Sequence, residues 1–92
     1  MNIIDFREQY EKRLNELGFV YYDNTQFSIS FVKYRHRKHG IDYESILDIT
    51  LDDEGRPKRI LLMEFPRAGE EPIIYDNTFK SMEELLEFLK GW

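Results

Sequence analysis

The chain has no cysteine among its 92 residues, so disulfides and thiolate chemistry are both excluded. That composition fits a reducing compartment, and a cytoplasmic location is the expectation. Long apolar runs are also missing. No stretch approaches the roughly 18 uninterrupted apolar residues of a membrane span, so no membrane association is expected. The opening MNIIDFREQYEKR is broken by Asp5 and lacks the apolar stretch of a signal peptide. Glycine is too sparse for a phosphate-cradling loop, Gly-x-Ser-x-Gly is absent, and no nucleophile stands beside a recognisable base. An enzyme is therefore not expected, and neither is a cofactor. Bases are in the minority, 13 against 18 acids, for a net charge of −5. Bulk charge of that sign repels a phosphate backbone.

What the chain does have is rings. Aromatics make up 15% of it, seven Phe, six Tyr and one Trp, which gives a small domain much buried area per residue. The length leaves room for a single core, so residues 1–92 are read as one domain. No repeat, linker or low-complexity tract divides it.

Two helices frame the chain. Asn2, with Asp5 three residues on, has the spacing of a helix N-cap. Ile3, Phe6, Tyr10, Leu14 and Leu17 follow at intervals of three and four, one apolar stripe. Gly18 supplies the left-handed residue after the helix, letting Phe19 fold back on Leu14. Near the other end, Ser81-Met82-Glu83-Glu84 has capping-box spacing, Met82, Leu85, Leu86 and Leu89 form the stripe, and Gly91 closes it.

Between the helices the apolar period falls to two. Phe27, Ile29 and Phe31 alternate with serines. Ile41, Tyr43, Leu47, Ile49 and Leu51 alternate with polar residues, and Leu61, Met63, Phe65, Ile73 and Tyr75 continue the pattern. Turn residues separate the runs at 23–25, 38–40, 53–55 and 66–69. Short turns between consecutive strands predict an antiparallel meander of four strands, or five if 19–22 joins it. Three-residue loops at 38–40 and 53–55 would pair Phe31 with Leu47, Ile29 with Ile49, Leu47 with Leu61 and Ser45 with Met63. Odd-numbered residues then share one face throughout, and a slip of one residue would turn each apolar set to the wrong side. The expected fold is α+β: an N-terminal helix, the antiparallel sheet and a C-terminal helix, with both helices on the odd face.

The even face should then be polar. On this register it instead carries Val32, Ile46, Leu62 and Ile74 side by side, with Ile60 next to Leu62 and Tyr22 and Tyr34 at the flanks. Contiguous apolar patches on soluble domains mark interfaces, although scattered exposed apolar residues are also ordinary. This strip points to a protein that docks on another protein, as an inhibitor or adaptor, with a homodimer through the same strip compatible with it.

Charge is unevenly spread. The segment KYRHRKH at residues 33–39 holds Lys33, Arg35, Arg37 and Lys38; removing these four leaves 9 bases against 18 acids elsewhere. As an alternative, those four cations would contact nucleic acid while Tyr34 stacks on a base. The same register offers a structural account. Tyr34 falls opposite Glu44 and His36 opposite Asp42, so the arginines would sit diagonal to acids. A third reading is that the acidic remainder mimics nucleic acid on a partner's basic groove.

Two arrangements suggest metal chemistry and do not sustain it. His36, His39 and Asp42 straddle a tight turn among cations with no third nitrogen or sulfur ligand. Asp48 and Glu64 would share the even face, but no lysine follows Glu64 closely, and Asp53-Glu54-Gly55 is accounted for as a turn. No metal site is expected. The order helix, strands, helix resembles the double-stranded-RNA-binding domain in topology only. That family's second helix opens with phosphate-gripping lysines, whereas this one opens Ser81-Met82-Glu83-Glu84, so its function is not carried over. In format the chain is similar to small inhibitors and accessory proteins of mobile elements, an analogy of type without a motif.

Overall fold

The computed structural model describes residues 2–92. Its elements run α1 (Asn2–Glu16), β1 (Val20–Asn24), β2 (Ser28–Lys38), β3 (Ile41–Leu51), β4 (Pro57–Pro66), β5 (Ile73–Asp76) and α2 (Met82–Lys90). The five strands form one antiparallel sheet in sequence order. The fold is α+β, as the periodicities predict, and residues 20–24 do supply the fifth strand. No helix among the described residues is long and apolar enough to cross a membrane.

Both helix ends follow from local chemistry. Gly18 has φ +93, and the Phe19 and Gly18 N–H groups donate to the Leu14 and Asn15 carbonyls at 2.9 and 3.0 Å. Those two bonds satisfy carbonyls the helix itself leaves unpaired, and they drop Phe19 into the core beside Leu14, both fully buried. At the start of α2 the Ser81 hydroxyl accepts from the Glu84 N–H at 3.2 Å, the predicted cap. The cap expected at Asn2 falls outside the described side chains.

One core joins the layers. Ile3, Phe6, Tyr10 and Leu14 from α1 and Met82, Leu85, Leu86 and Leu89 from α2 cluster with Ile29, Phe31, Leu47, Ile49, Ile60 and Leu62 of the sheet. Both helices therefore lie on one face, leaving the other face open. Along β3 and the body of β2 that core face is odd-numbered, as expected. Along β4 it is even-numbered, which corrects the expected register. The 53–55 loop forms as predicted, with Gly55 N–H donating to the Asp52 carbonyl at 3.0 Å and Asp52 N–H to the Arg56 carbonyl at 2.8 Å. However, Leu51 pairs with Pro57 while Thr50 pairs with Arg59, so Lys58 is an extra residue. This bulge turns every later side chain of β4 over. Leu47 then pairs with Leu62, Ser45 with Glu64 and Ile46 with Met63.

A second bulge lies in β2. The body of the β2–β3 hairpin has the predicted pairing, Phe31 with Leu47 and Ile29 with Ile49. Its tip does not. Lys38 pairs with Ile41 across a two-residue turn of His39 (φ 54) and Gly40 (φ 79), the left-handed pair that suits the twist of a tight hairpin. Between the two registers, Tyr34 and Arg35 together oppose Glu44. His36 thus faces Tyr43 rather than Asp42, and His36 and Lys38 swing to the core face.

Candidate functional site

The open face carries an unbroken cross-strand row: Val20 pairs with Val32, Val32 with Ile46, Ile46 with Met63, and Met63 with Ile74. Each is a β-branched or flexible apolar residue, and none belongs to the core cluster. The ends of the row are the most open, Val20 at 43% and Ile74 at 56% exposure, while Val32 is buried between its strand neighbours. One row toward the hairpin tip stand Phe65, opposite Glu44, and the bulged Tyr34, which is 55% exposed. Tyr22, at the irregularity between Tyr21 and Asp23, is 62% exposed at the edge strand.

Of the residues the sequence places in this strip, Val32, Ile46, Ile74, Tyr22 and Tyr34 are on the open side. Leu62 and Ile60 are not. They are buried in the core beneath the helices, because the Lys58 bulge inverts β4. Met63 takes the place assigned to Leu62, and Val20 and Phe65 are additions. The signal for Met63 lay in β4 itself, where Ile60, Leu61, Leu62 and Met63 are apolar on both parities, so alternation could not choose between them.

Beside the apolar row, away from the tip, runs a second row with a different character. Asp23 pairs with Ser30, Ser30 with Asp48, Asp48 with Leu61, and Leu61 with Asp76. Ser30 donates to Asp48 at 3.1 Å, and Arg59 grips Asp76 through two bonds of 2.9 and 2.7 Å. The Arg59 guanidinium holds the Asp76 carboxyl below its ordinary range and is itself raised by it. Asp48 lies on the open face while Glu64 is on the core face, so the two carboxylates expected to share a side are separated by the sheet.

The basic hairpin tip is divided between the two faces. Arg35 and Arg37 both reach Asp42, at 3.1 and 3.2 Å, the cross-strand pairing that a charged hairpin favours. Lys33 and Lys38 turn the other way. Lys38 places its ammonium 2.8 Å from the fully buried Glu64 carboxylate, and Lys33 extends past Gly18. Both ammonium groups come within about 5.5 Å of the Trp92 ring centroid, at 5.4 and 5.5 Å. The four cations proposed to track one phosphate backbone thus do not share a surface, which corrects that grouping; Arg35, Arg37 and Tyr34 remain outside.

Around Glu64 the core face is polar. Ser45 pairs with it across the strands and is fully buried, and His36 is 7% exposed with its Nε2 making no hydrogen bond within the protein. Burial, reinforced by Glu64, pushes the Tyr75 hydroxyl up. Burial alone lowers Lys33. His36 and His39 are parted by the turn, one inward and one at the tip. Compared with known proteins, the chain matches no family model, no curated protein and no solved structure.

Proposed function

We propose that this protein is a non-enzymatic docking module that acts in the cytoplasm as an inhibitor or adaptor, binding another protein through the open face of its sheet. The observation that carries the reading is the continuous row Val20, Val32, Ile46, Met63 and Ile74, on a face that neither helix covers. A solvated antiparallel face is ordinarily polar, and an apolar row spanning every strand removes water only when a partner lies on it. Tyr22, Tyr34 and Phe65 surround the row with rings, the residue type that anchors interfaces at low entropic cost.

The charges around the row favour a different protein over a second copy. A two-fold axis along β3 would lay Asp48 of one copy against Asp48 of the next. An axis along the apolar row would lay Asp48 toward Glu44. Like charges opposed in an interface cost binding energy and select against that pairing. A partner with an apolar ridge and a basic rim meets no such repulsion from Asp23 and Asp48.

The test is Ile46→Glu and Met63→Glu, each checked by circular dichroism for an intact fold, in a capture experiment from the protein's own host. The reading expects partner capture to be lost in both variants while folding survives. Capture unchanged by both charges would end it. Sedimentation of the wild-type chain separates the homodimer: a concentration-dependent dimer that Ile46→Glu dissolves would make the second copy the partner.

A further inference from the structure

The docking reading makes no use of the far end of the core face, where the chain's one tryptophan is placed. Trp92 follows α2, tied to it by one backbone bond from its N–H to the Leu89 carbonyl at 3.3 Å. The rest of its attachment is side-chain packing. Its indole stacks on His36 with centroids 3.9 Å apart and planes 20° from parallel, and on Phe19 at 5.8 Å and 12°.

The surroundings of His36 are crowded with charge. From its own strand come Lys33 and Lys38, from β3 the Tyr43 ring, and from β4 the Glu64 carboxylate, with Tyr75 of β5 against Glu64. Glu64 is already paired with Lys38 at 2.8 Å. Among the described residues no carboxylate is ion-paired with Lys33. A proton added to His36 therefore creates a third cation beside a single carboxylate, in a place shielded from water.

We propose that Trp92 is a proton-released latch: its indole closes over neutral His36, and protonation of His36 frees residues 91–92 and uncovers the Lys33, Lys38 and Glu64 cluster beneath. The balance of forces on the imidazole has the matching sign. Burial acts first and Lys33 second to keep it below the ordinary histidine value, Lys38 adds to them, and Glu64 opposes. The closed form thus binds the proton more weakly than the open form, in which burial no longer holds the imidazole down. Closure is complete above the ordinary histidine range and weakens as pH falls through it.

Trp92 is the chain's own probe, because the sequence contains a single tryptophan. The experiment follows its emission maximum and its quenching by acrylamide as pH is lowered from about 8 to about 5, bracketing the histidine range. Far-ultraviolet circular dichroism is recorded alongside. The latch expects emission to move to the red and quenching to rise severalfold while the dichroism stays constant. It expects His36→Gln to abolish that transition, and Lys33→Met, which removes a repelling cation and keeps the apolar stem, to move it to lower pH. Emission that dims without becoming more accessible would mean an imidazolium quencher in a closed latch, and would overturn the proposal. So would an unchanged transition in His36→Gln, an unmoved one in Lys33→Met, or a loss of dichroism that tracks the emission.

Discussion

The Lys38 ammonium lies 2.8 Å from a Glu64 carboxylate that has no exposure to solvent, although the two residues belong to strands separated by β3. Lys38 reaches it because the bulge at Tyr34 and Arg35 turns the hairpin tip over, and Glu64 is there because the Lys58 bulge turns β4 over. Two independent one-residue insertions thus create the buried pair. A buried ion pair gains little over an apolar pair of the same volume, but leaving one charge alone in the interior is costly. Lys38→Met is expected to destabilise the fold by about 3 kcal/mol, the low end for a broken buried pair, because Lys38 keeps part of its side chain in water. Adding Glu64→Leu should restore most of that. Urea denaturation of the two variants measures both, and a double variant no more stable than the single would contradict the account.

The inverted β4 register makes neighbouring residues behave oppositely. Leu62 is fully buried in the core, and Met63 is on the open face. Leu62→Ala is expected to cost about 2–5 kcal/mol through lost burial and the cavity left behind. Met63→Ala should stay within about 0.5 kcal/mol, as for a surface substitution. Equal costs, or the reverse order, would restore the odd-numbered core face.

How far the sequence reaches is visible in these same residues. Element order, the Gly18 and Ser81 helix ends and the 53–55 loop are legible because each depends on a few adjacent residues with distinct local chemistry. The register of the sheet's middle is legible as well, since Ile29, Phe31, Leu47 and Ile49 allow only one face inward. The bulges are not. Tyr34 and Arg35 have no glycine or proline to mark an inserted residue, Pro57 beside Lys58 reads equally well as the first residue of a strand, and β4 offers apolar side chains on both parities. The consequence falls on the candidate site: Leu62 and Ile60 pass to the core, Met63 joins the open row, and beyond the β2 bulge Arg37 turns outward and Lys38 inward, while Lys33 keeps the core-face side its odd number predicts. The burial of His36 and Glu64 is illegible for the same reason, because each sits beyond a bulge, whereas Ser45 is odd-numbered and lies on the core face that the register predicts.

Glycines with similar backbone angles should differ in their tolerance of alanine. Gly18 and Gly40 have φ +93 and +79, a region that costs an L side chain about 1–2 kcal/mol. A Cβ on Gly40 would meet nothing within 4 Å, whereas one on Gly18 would come 2.9 Å from Lys33 Cε. Lys33 cannot retreat freely, because its ammonium lies over Trp92. Gly18→Ala should therefore cost more than Gly40→Ala and alone should shift Trp92 emission. Thermal melts and fluorescence check the ordering.

Acid should weaken the fold through the β3–β4 turn. The Asp52 carboxylate accepts N–H bonds from Glu54 and Arg56, both 2.9 Å, and these bonds, Arg56 foremost, hold it below the usual carboxylate range. With the folded value depressed, this stabilisation is fully present above the unfolded aspartate value of about 3.9 and is lost as pH falls through the folded one. Asp52→Asn should flatten that part of the stability curve while leaving the neutral region little changed. Denaturation midpoints at a series of pH values provide the comparison, and an identical slope in the variant would remove Asp52 from the account.

The acidic row beside the docking strip predicts how a partner approaches. Asp23 and Asp48 flank the apolar row on the side away from the hairpin tip, and neither is ion-paired with a cation among the described residues. Charges at the rim of an interface act mainly on encounter, and salt screens them over about 10 Å at 0.1 M. Asp48→Lys should therefore slow association with a captured partner and reverse the sign of its salt dependence, while dissociation changes little. Ile46→Glu, at the centre of the row, should instead speed dissociation, since it places a charge where water is expelled. Surface-plasmon traces of the two variants at low and high salt separate these effects. If Asp48→Lys left the association rate and its salt dependence untouched, the partner's rim would not be basic, and the open face would dock by its apolar row alone.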